Sequence, residues 1–352
     1  MHEYAELSSI ARMSLPLPIQ HPSAAHLLSI SDLDSGEITT VLDDAAFLKT
    51  RHPAGAGVGP LSGKHVALIF DKPSLRTRVS FEVGIHRLGG TTTALAGGEV
   101  GLGTRESLPD IAQTLSRYVD AIVVRMLSHH GLAELAAASE VPVVNALTSW
   151  EHPCQALADV LTIREHLGGF GGRSLGYVGD GNNVCHSLLL AGAAVGLLVR
   201  VATPAGHEPD RQIVDEAVGI ARMTGGRIEL THDPLAAVRG ADAVYTDVWA
   251  SMGEEDEAAE RRRIFEPYRI TTKLMASAPG AIVLHCLPAH RGEEIEDAVI
   301  DGPSSVVFDQ AENRMWVQQA VLLLLLRRGL GRAGQRASTT NLAARPKVGL
   351  AT

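Results

Sequence analysis

The sequence predicts an α/β protein of two parallel-sheet α/β domains with a cleft between them, joined by a bridging helix. Three observations lead there. Short aliphatic runs alternate with amphipathic stretches along most of the 352 residues, the rhythm of βα units that feed a parallel sheet. The runs fall into two groups, separated by one long helical stretch near residues 152–166. Residues able to do chemistry recur directly after the runs, and open parallel sheets bind ligands beyond the carboxyl ends of their strands.

In the first group the candidate strands are Val66–Phe70, Thr92–Leu95, Ala121–Arg125 and Val143–Asn145. Each is four to eight residues of β-branched or aliphatic character bounded by turn-forming residues, or close to that length. The stretch from His152 to His166 is strongly helical and is followed by Gly168, Gly169, Gly171 and Gly172, so it reads as the bridge. In the second group the candidates are Ser174–Val178, Leu198–Thr203, Arg227–Thr231, Ala243–Thr246 and Ile282–Cys286. A last helix is expected near Asn313–Arg328, packed back on the first half. The resulting division is an N-terminal extension at 1–22, a first domain at 23–155, a second at 156–314, the closing helix at 315–332 and a flexible tail at 333–352. The two ends earn their descriptions because neither shows apolar periodicity.

Composition narrows the function. Hydrophobic residues make up 45% and charged residues 20%, as in soluble globular proteins, and aromatics only 4%, so the core must be aliphatic. A formal charge of −9 argues against nucleic-acid or anionic-membrane partners. The three cysteines, Cys154, Cys185 and Cys286, are far apart and odd in number, which fits a reduced cytoplasmic chain without structural disulfides. No signal peptide is read in the first 20 residues, and the apolar run Val321–Leu326 is far shorter than the ~20 residues that span a bilayer.

The most informative stretch is Ser74, Leu75, Arg76, Thr77 and Arg78, directly after the first strand. Guanidinium groups, hydroxyls and the free N–H groups of a nascent helix converge there, an arrangement suited to phosphate. Arg125 ends another strand of the same group and can point into the same crevice. His152 and Gln155 lie three apart at the start of the bridging helix, placed to polarise a carbonyl. Gly179, Asp180, Gly181, Asn182 and Asn183 invite a dinucleotide reading, but Val184 occupies the third glycine position and no acidic residue ends the next strand. Asp247 ends a further strand, where a carboxylate can hold an ammonium group or cap a helix. Cys286 follows His285, with His290 and Arg291 nearby, yet a single cysteine without a second ligand pair makes a metal site unexpected. The mixed-charge run Glu254–Arg263 reads as a solvated surface.

Taken in order, these motifs (with Asp247 to Gly253, His285 to Pro288 and Ala311 to Arg314) resemble those of the aspartate/ornithine carbamoyltransferases, over about residues 26–330. Ser251-Met252-Gly253 and His285-Cys286-Leu287-Pro288 resemble the ornithine branch in particular. The resemblance implies transfer of a carbamoyl group from carbamoyl phosphate to the side-chain amine of L-ornithine, without a cofactor, giving citrulline and phosphate as a step of arginine biosynthesis. It implies that Ser74, Leu75, Arg76 and Thr77 hold the phosphate, that Arg125 spans phosphate and carbonyl oxygen, and that His152 and Gln155 bind the carbamoyl group with Arg314 near it. Asn183, Asp247, Ser251 and Met252 would bind the amino-acid end of ornithine, with Cys286 and Leu287 beside its reacting amine. Arg125, His152, Asp247 and Cys286 form the implied catalytic set.

Family members are trimers or assemblies of trimers in which a neighbour's loop completes the phosphate site. Two departures stand out. Leu75 replaces the threonine commonest at its position, and Gly101 stands where that loop often carries glutamine, with Arg105 close by as a substitute. A carbamoyltransferase for another amine (putrescine or an acylated ornithine) and a non-catalytic carbamoyl-phosphate-binding relative are the other readings. An altered Ser251-Met252-Gly253 loop would signal the first, and loss of Arg76, Arg125 or His152 the second; all are intact.

Overall fold

The computed structural model describes residues 26–50, 59–250 and 258–343, with side chains as far as Arg327. After helix α1 (Ser35–Thr50), the first half runs β1 (His65–Phe70), α2 (Leu75–Arg87), β2 (Thr91–Ala96), α3 (Leu108–Leu115), β3 (Ala121–Arg125), α4 (His129–Ala138) and β4 (Val143–Leu147). Helix α5 (Pro153–Leu167) leads to the second half: β5 (Ser174–Val178), α6 (Asn183–Ala194), β6 (Leu198–Ala202), α7 (Arg211–Thr224), β7 (Arg227–Thr231), α8 (Pro234–Val238), β8 (Ala243–Thr246), α9 (Ala258–Phe265) and β9 (Ile282–His285). Helix α10 (Val307–Ala343) closes the chain.

All nine expected strands form, in two wholly parallel sheets ordered β2-β1-β3-β4 and β7-β6-β5-β8-β9. Each sheet reverses direction once, between β1 and β3 in the first and between β5 and β8 in the second. The loops after these strands part at the reversal and leave a crevice, the usual ligand position in such sheets. Arg125 lies opposite Phe70 at the first crevice, where the β3–β4 register slips by a residue. Asp180 and Asp247 follow β5 and β8 at the second.

Strands β4 and β5 are buried at every residue, although β4 ends its sheet, and both are largely apolar along their length. Helix α5 is buried from Pro153 to Ile163 and sits in a core that continues from Leu68 and Val123 in the first half to Leu188 and Val199 in the second. The two halves are therefore fused along α5 rather than strung on a linker. Helix α10 packs on α1, α2 and α5. It begins at Val307, earlier than the expected Asn313, because Val306 and Val307 are already buried beside β9. It also continues to Ala343, into the segment expected as a tail. The proposed N-terminal extension at 1–22 and residues 344–352 lie outside the described residues. Among the described residues, no helix is long and apolar enough to cross a membrane.

Candidate active site

The two crevices face each other across a single cleft of about 540 Å³. Its first wall is the start of α2. Ser74 is the N-cap of that helix, but its hydroxyl makes no capping bond, so hydroxyl and first-turn N–H groups stay available. Ser74, Arg76 and Thr77 line the cleft, whereas the Leu75 side chain is 76% exposed and turned to solvent. Arg78 departs from expectation: it swings outward and pairs with Glu82 one turn later at 3.0 Å. The third guanidinium of the cluster comes from far along the chain. Arg314, on α10, donates to Thr77 Oγ1 at 2.7 Å, and Arg125 reaches the same oxygen at 3.4 Å.

Two arginines thus meet at one neutral hydroxyl, with Arg76 close enough for its charge to act on both. Among the described residues, neither Arg76 nor Arg314 forms an ion pair with a carboxylate, and the Nε of each is buried without a partner. Buried like charges at close range are costly unless an anion joins them. Burial first, and then the fields of Arg314 and Arg76, lower the Arg125 guanidinium to about 10. His152 lies beside them at the N-cap of α5. Burial, followed by the fields of Arg314, Arg125 and Arg76, holds its imidazole well below the usual range, so it is neutral near pH 7. Its Nδ1 is buried without a partner, and Gln155 Oε1 is too.

The opposite wall belongs to the second half. Asn182 caps α6, accepting from the N–H groups of Val184 and Cys185, and donates to Asp247 Oδ2 at 2.9 Å. Gly179 (φ 151°) and Gly181 make this turn possible; a Cβ on Gly181 would lie 2.2 Å from the Pro209 nitrogen. Asn183 lines the cleft and donates to the Thr148 carbonyl across the domain junction at 2.6 Å. Asp247 Oδ1 accepts from the Cys286 thiol at 2.9 Å. Burial, and then Asp247, push the Cys286 thiol well up, so it stays protonated and a poor nucleophile. Leu287 follows in the left-handed region at φ 57°. Its N–H donates to His285 Nδ1 at 2.9 Å, which leaves His285 Nε2–H for the buried Glu294 at 3.2 Å.

Of the expected residues, Ser74, Arg76, Thr77, Arg125, His152, Gln155, Asn183, Asp247, Cys286, Leu287 and Arg314 line this cleft and Leu75 does not. Ser251 and Met252 lie outside the described residues, as do Glu254 to Glu257. The rest of the charged run is not simply solvated. Arg261 is 5% exposed and pairs with Asp180 while also donating to the Trp249 carbonyl. Sequence reasoning also passed over Glu151, Asp159 and Gln310, all buried near the site. The first two carried a signal: carboxylates in a stretch buried on every side. Among the described residues, Asp247, His285 and Cys286 could bring three ligand atoms within 4.8 Å, but the thiol already donates to Asp247 and both His285 nitrogens are engaged.

Two parallel-sheet α/β domains thus bring arginines to one wall of a shared cleft and Asp247 with the Cys286 thiol to the other. The chain belongs to the aspartate/ornithine carbamoyltransferase family: residues 25–165 match that family's carbamoyl-P binding domain and residues 171–325 its Asp/Orn binding domain. It is 52% identical over 316 residues to the ornithine carbamoyltransferase of Parafrankia sp. (strain EAN1pec), covering 89% of this chain and 100% of the relative. It is 53% identical to the ornithine carbamoyltransferase of Methanothermobacter thermautotrophicus, covering 86% of this chain and 98% of that one. Among solved structures, the ornithine carbamoyltransferase from Pyrococcus furiosus superposes with a TM-score of 0.84 at 49% identity, over 87% of this chain and 98% of that one.

Proposed function

We propose that this protein is an ornithine carbamoyltransferase: it transfers the carbamoyl group of carbamoyl phosphate to the side-chain amine of L-ornithine and releases citrulline and phosphate. The observation that carries this reading is the pair Arg125 and Arg314 on Thr77 Oγ1, with Arg76 lining the same wall, facing Asp247 and Cys286 across one cleft. The phosphate sits at the start of α2, held by Ser74, the Leu75 and Thr77 N–H groups and Arg76. A leucine serves at position 75 because its side chain points to solvent and only its N–H is needed. Arg125, Thr77 and the neutral His152 polarise the carbonyl oxygen, with Arg314 and Gln155 completing the carbamoyl site.

Carbamoyl phosphate is already activated, so no enzyme acyl intermediate is required. The ornithine amine attacks the carbonyl carbon, the C–O bond to phosphate breaks, and the electron pair leaves on phosphate, where the arginines await it. The amine must first be neutral, which at pH 7 costs roughly 4–5 kcal/mol for a lysine-like group. Desolvation in the closed cleft offsets part of this. Asp247, reached through the Cys286 thiol, takes the proton the ammonium loses, and the second amine proton leaves with the departing phosphate. Asn183, Ser251 and Met252 hold the amino-acid end, and the Leu287 backbone borders the reacting amine.

The wider setting belongs to the same proposal: a cytoplasmic step of arginine biosynthesis, and a homotrimer or assembly of trimers. The exposed stripe Leu75, Val79 and Val83 along α2, at 76%, 46% and 38%, supports assembly through the face beside the phosphate site. Gly101 and Arg105 lie together on the next loop, where a Cβ on Gly101 would meet the Arg105 Cβ at 2.6 Å, and Arg105 is the candidate for the reaching role there. The test is a citrulline assay with carbamoyl phosphate and a panel of amines including putrescine, N-acetylornithine and aspartate. Turnover with ornithine alone supports the reading; selective turnover of another amine overturns it.

A further inference from the structure

We infer that Asp159, a residue outside the cleft, is the positioning residue that makes the enzyme choose a carbamoyl over an isosteric acetyl donor, by fixing which end of the Gln155 amide faces the substrate. This rests on the carbamoyl-phosphate reading above. Asp159 lies one turn beyond Gln155 on the buried face of α5 and is fully buried. Its Oδ1 accepts from Gln155 Nε2 at 2.7 Å and from Gln310 Nε2 at 2.7 Å. The Gln310 amide cannot be reversed, because its Oε1 accepts the His285 N–H at 2.9 Å. Two amide NH₂ groups are thus committed to one carboxylate oxygen, and Gln155 has its carbonyl end left over.

That end, Gln155 Oε1, is buried without a partner at the cleft wall. A carbamoyl group offers an NH₂ that can donate to it; an acetyl group offers a methyl that leaves it unsatisfied. Discrimination of this kind is strong because a buried acceptor without a donor is expensive. Burial raises the Asp159 carboxyl to about 7, against the lowering effect of Gln155, Gln310 and Tyr245, and Oδ2, which neither amide reaches, can carry the proton while Oδ1 still accepts both. The orientation therefore survives either charge state. Through Gln310 and the His285 N–H the same carboxylate ties the carbamoyl wall to the strand that ends at Cys286.

The experiment compares binding of phosphonoacetamide and acetonylphosphonate, stable mimics that differ by NH₂ against CH₃, to the full-length enzyme and its variants. The wild type should prefer the amide by about tenfold or more, and Asp159→Ala should bring the ratio within about threefold while its Kd for inorganic phosphate stays unchanged. Asp159→Asn, which keeps an acceptor at Oδ1, should keep the preference. An unchanged ratio in Asp159→Ala, or no preference in the wild type, overturns the inference. If Asp159→Ala does not fold, a wild-type complex with phosphonoacetamide decides: Gln155 Oε1 facing the ligand amide supports the inference, and Nε2 facing it overturns it. Failure of both mimics to bind the wild type would instead overturn the underlying carbamoyl-phosphate reading.

Discussion

Arg76 and Cys286 carry the sharpest expectations at the scale of single residues. Arg76 has a buried Nε without a partner and no carboxylate to answer it among the described residues, so its chief partner is the ligand. Arg76→Ala should abolish carbamoyl-phosphate binding with little loss of stability, since truncating one member of a desolvated charge pair costs about 2–5 kcal/mol. Calorimetry returning wild-type affinity would remove it from the phosphate site. Cys286 presents a protonated thiol that donates to Asp247. Cys286→Ser should therefore keep measurable turnover and change mainly the kinetics of ornithine. A nucleophile would behave otherwise, with kcat falling by several orders of magnitude.

Glu151 supplies a residue-scale prediction in pH. It is 1% exposed, accepts from the Ile30 N–H and the Ser187 hydroxyl, and burial raises it to about 7. Between about pH 4.5 and 7 the folded state then holds a proton that the unfolded state has lost, so stability declines as pH rises through that window. Glu151→Gln, neutral at every pH and still able to accept both bonds, should gain up to about 3 kcal/mol on the wild type at pH 8 relative to pH 4. Parallel pH profiles of the two proteins in denaturant titrations would show that Glu151 is ionised in the fold.

At the scale of elements, much was legible because parallel strands declare themselves as aliphatic runs closed by turn residues. Ser174–Val178, Arg227–Thr231 and Ala243–Thr246 form with the expected bounds. Helix ends were less legible. Val306 and Val307 look like loop residues until β9 is placed beside them. The direction of Arg78 was equally hidden, since only the turn of α2 separates it from Arg76 and sends it to Glu82. The exposed stripe on α2 yields a test of its own. Val79→Lys should weaken assembly, and light scattering should show the mass fall from a multiple of three chains; an unchanged mass would place the subunit interface elsewhere.

For the whole molecule, the cleft was legible as a set of strand ends but not as a network. Nothing in sequence spacing brings Arg314 to Thr77, Arg261 to Asp180 or Gln310 to Asp159, because each pairing depends on how α9 and α10 fold back. That layout predicts order in binding. The phosphate site rests largely on one half, whereas the amine site needs both walls, so carbamoyl phosphate should bind first. Product-inhibition patterns of random addition, or tight ornithine binding to the free enzyme, would contradict it.

The central claim is that these two walls form one site for direct carbamoyl transfer. Rapid mixing of the enzyme with carbon-13-labelled carbamoyl phosphate, with and without ornithine, tests it most directly by following phosphate, labelled citrulline and protein mass together. Enzyme-dependent phosphate release should occur only when ornithine is present, should equal the citrulline formed, and should leave no labelled protein. Enzyme-dependent phosphate release without ornithine, or a carbamoyl adduct on Cys286 that chases into citrulline, would contradict it.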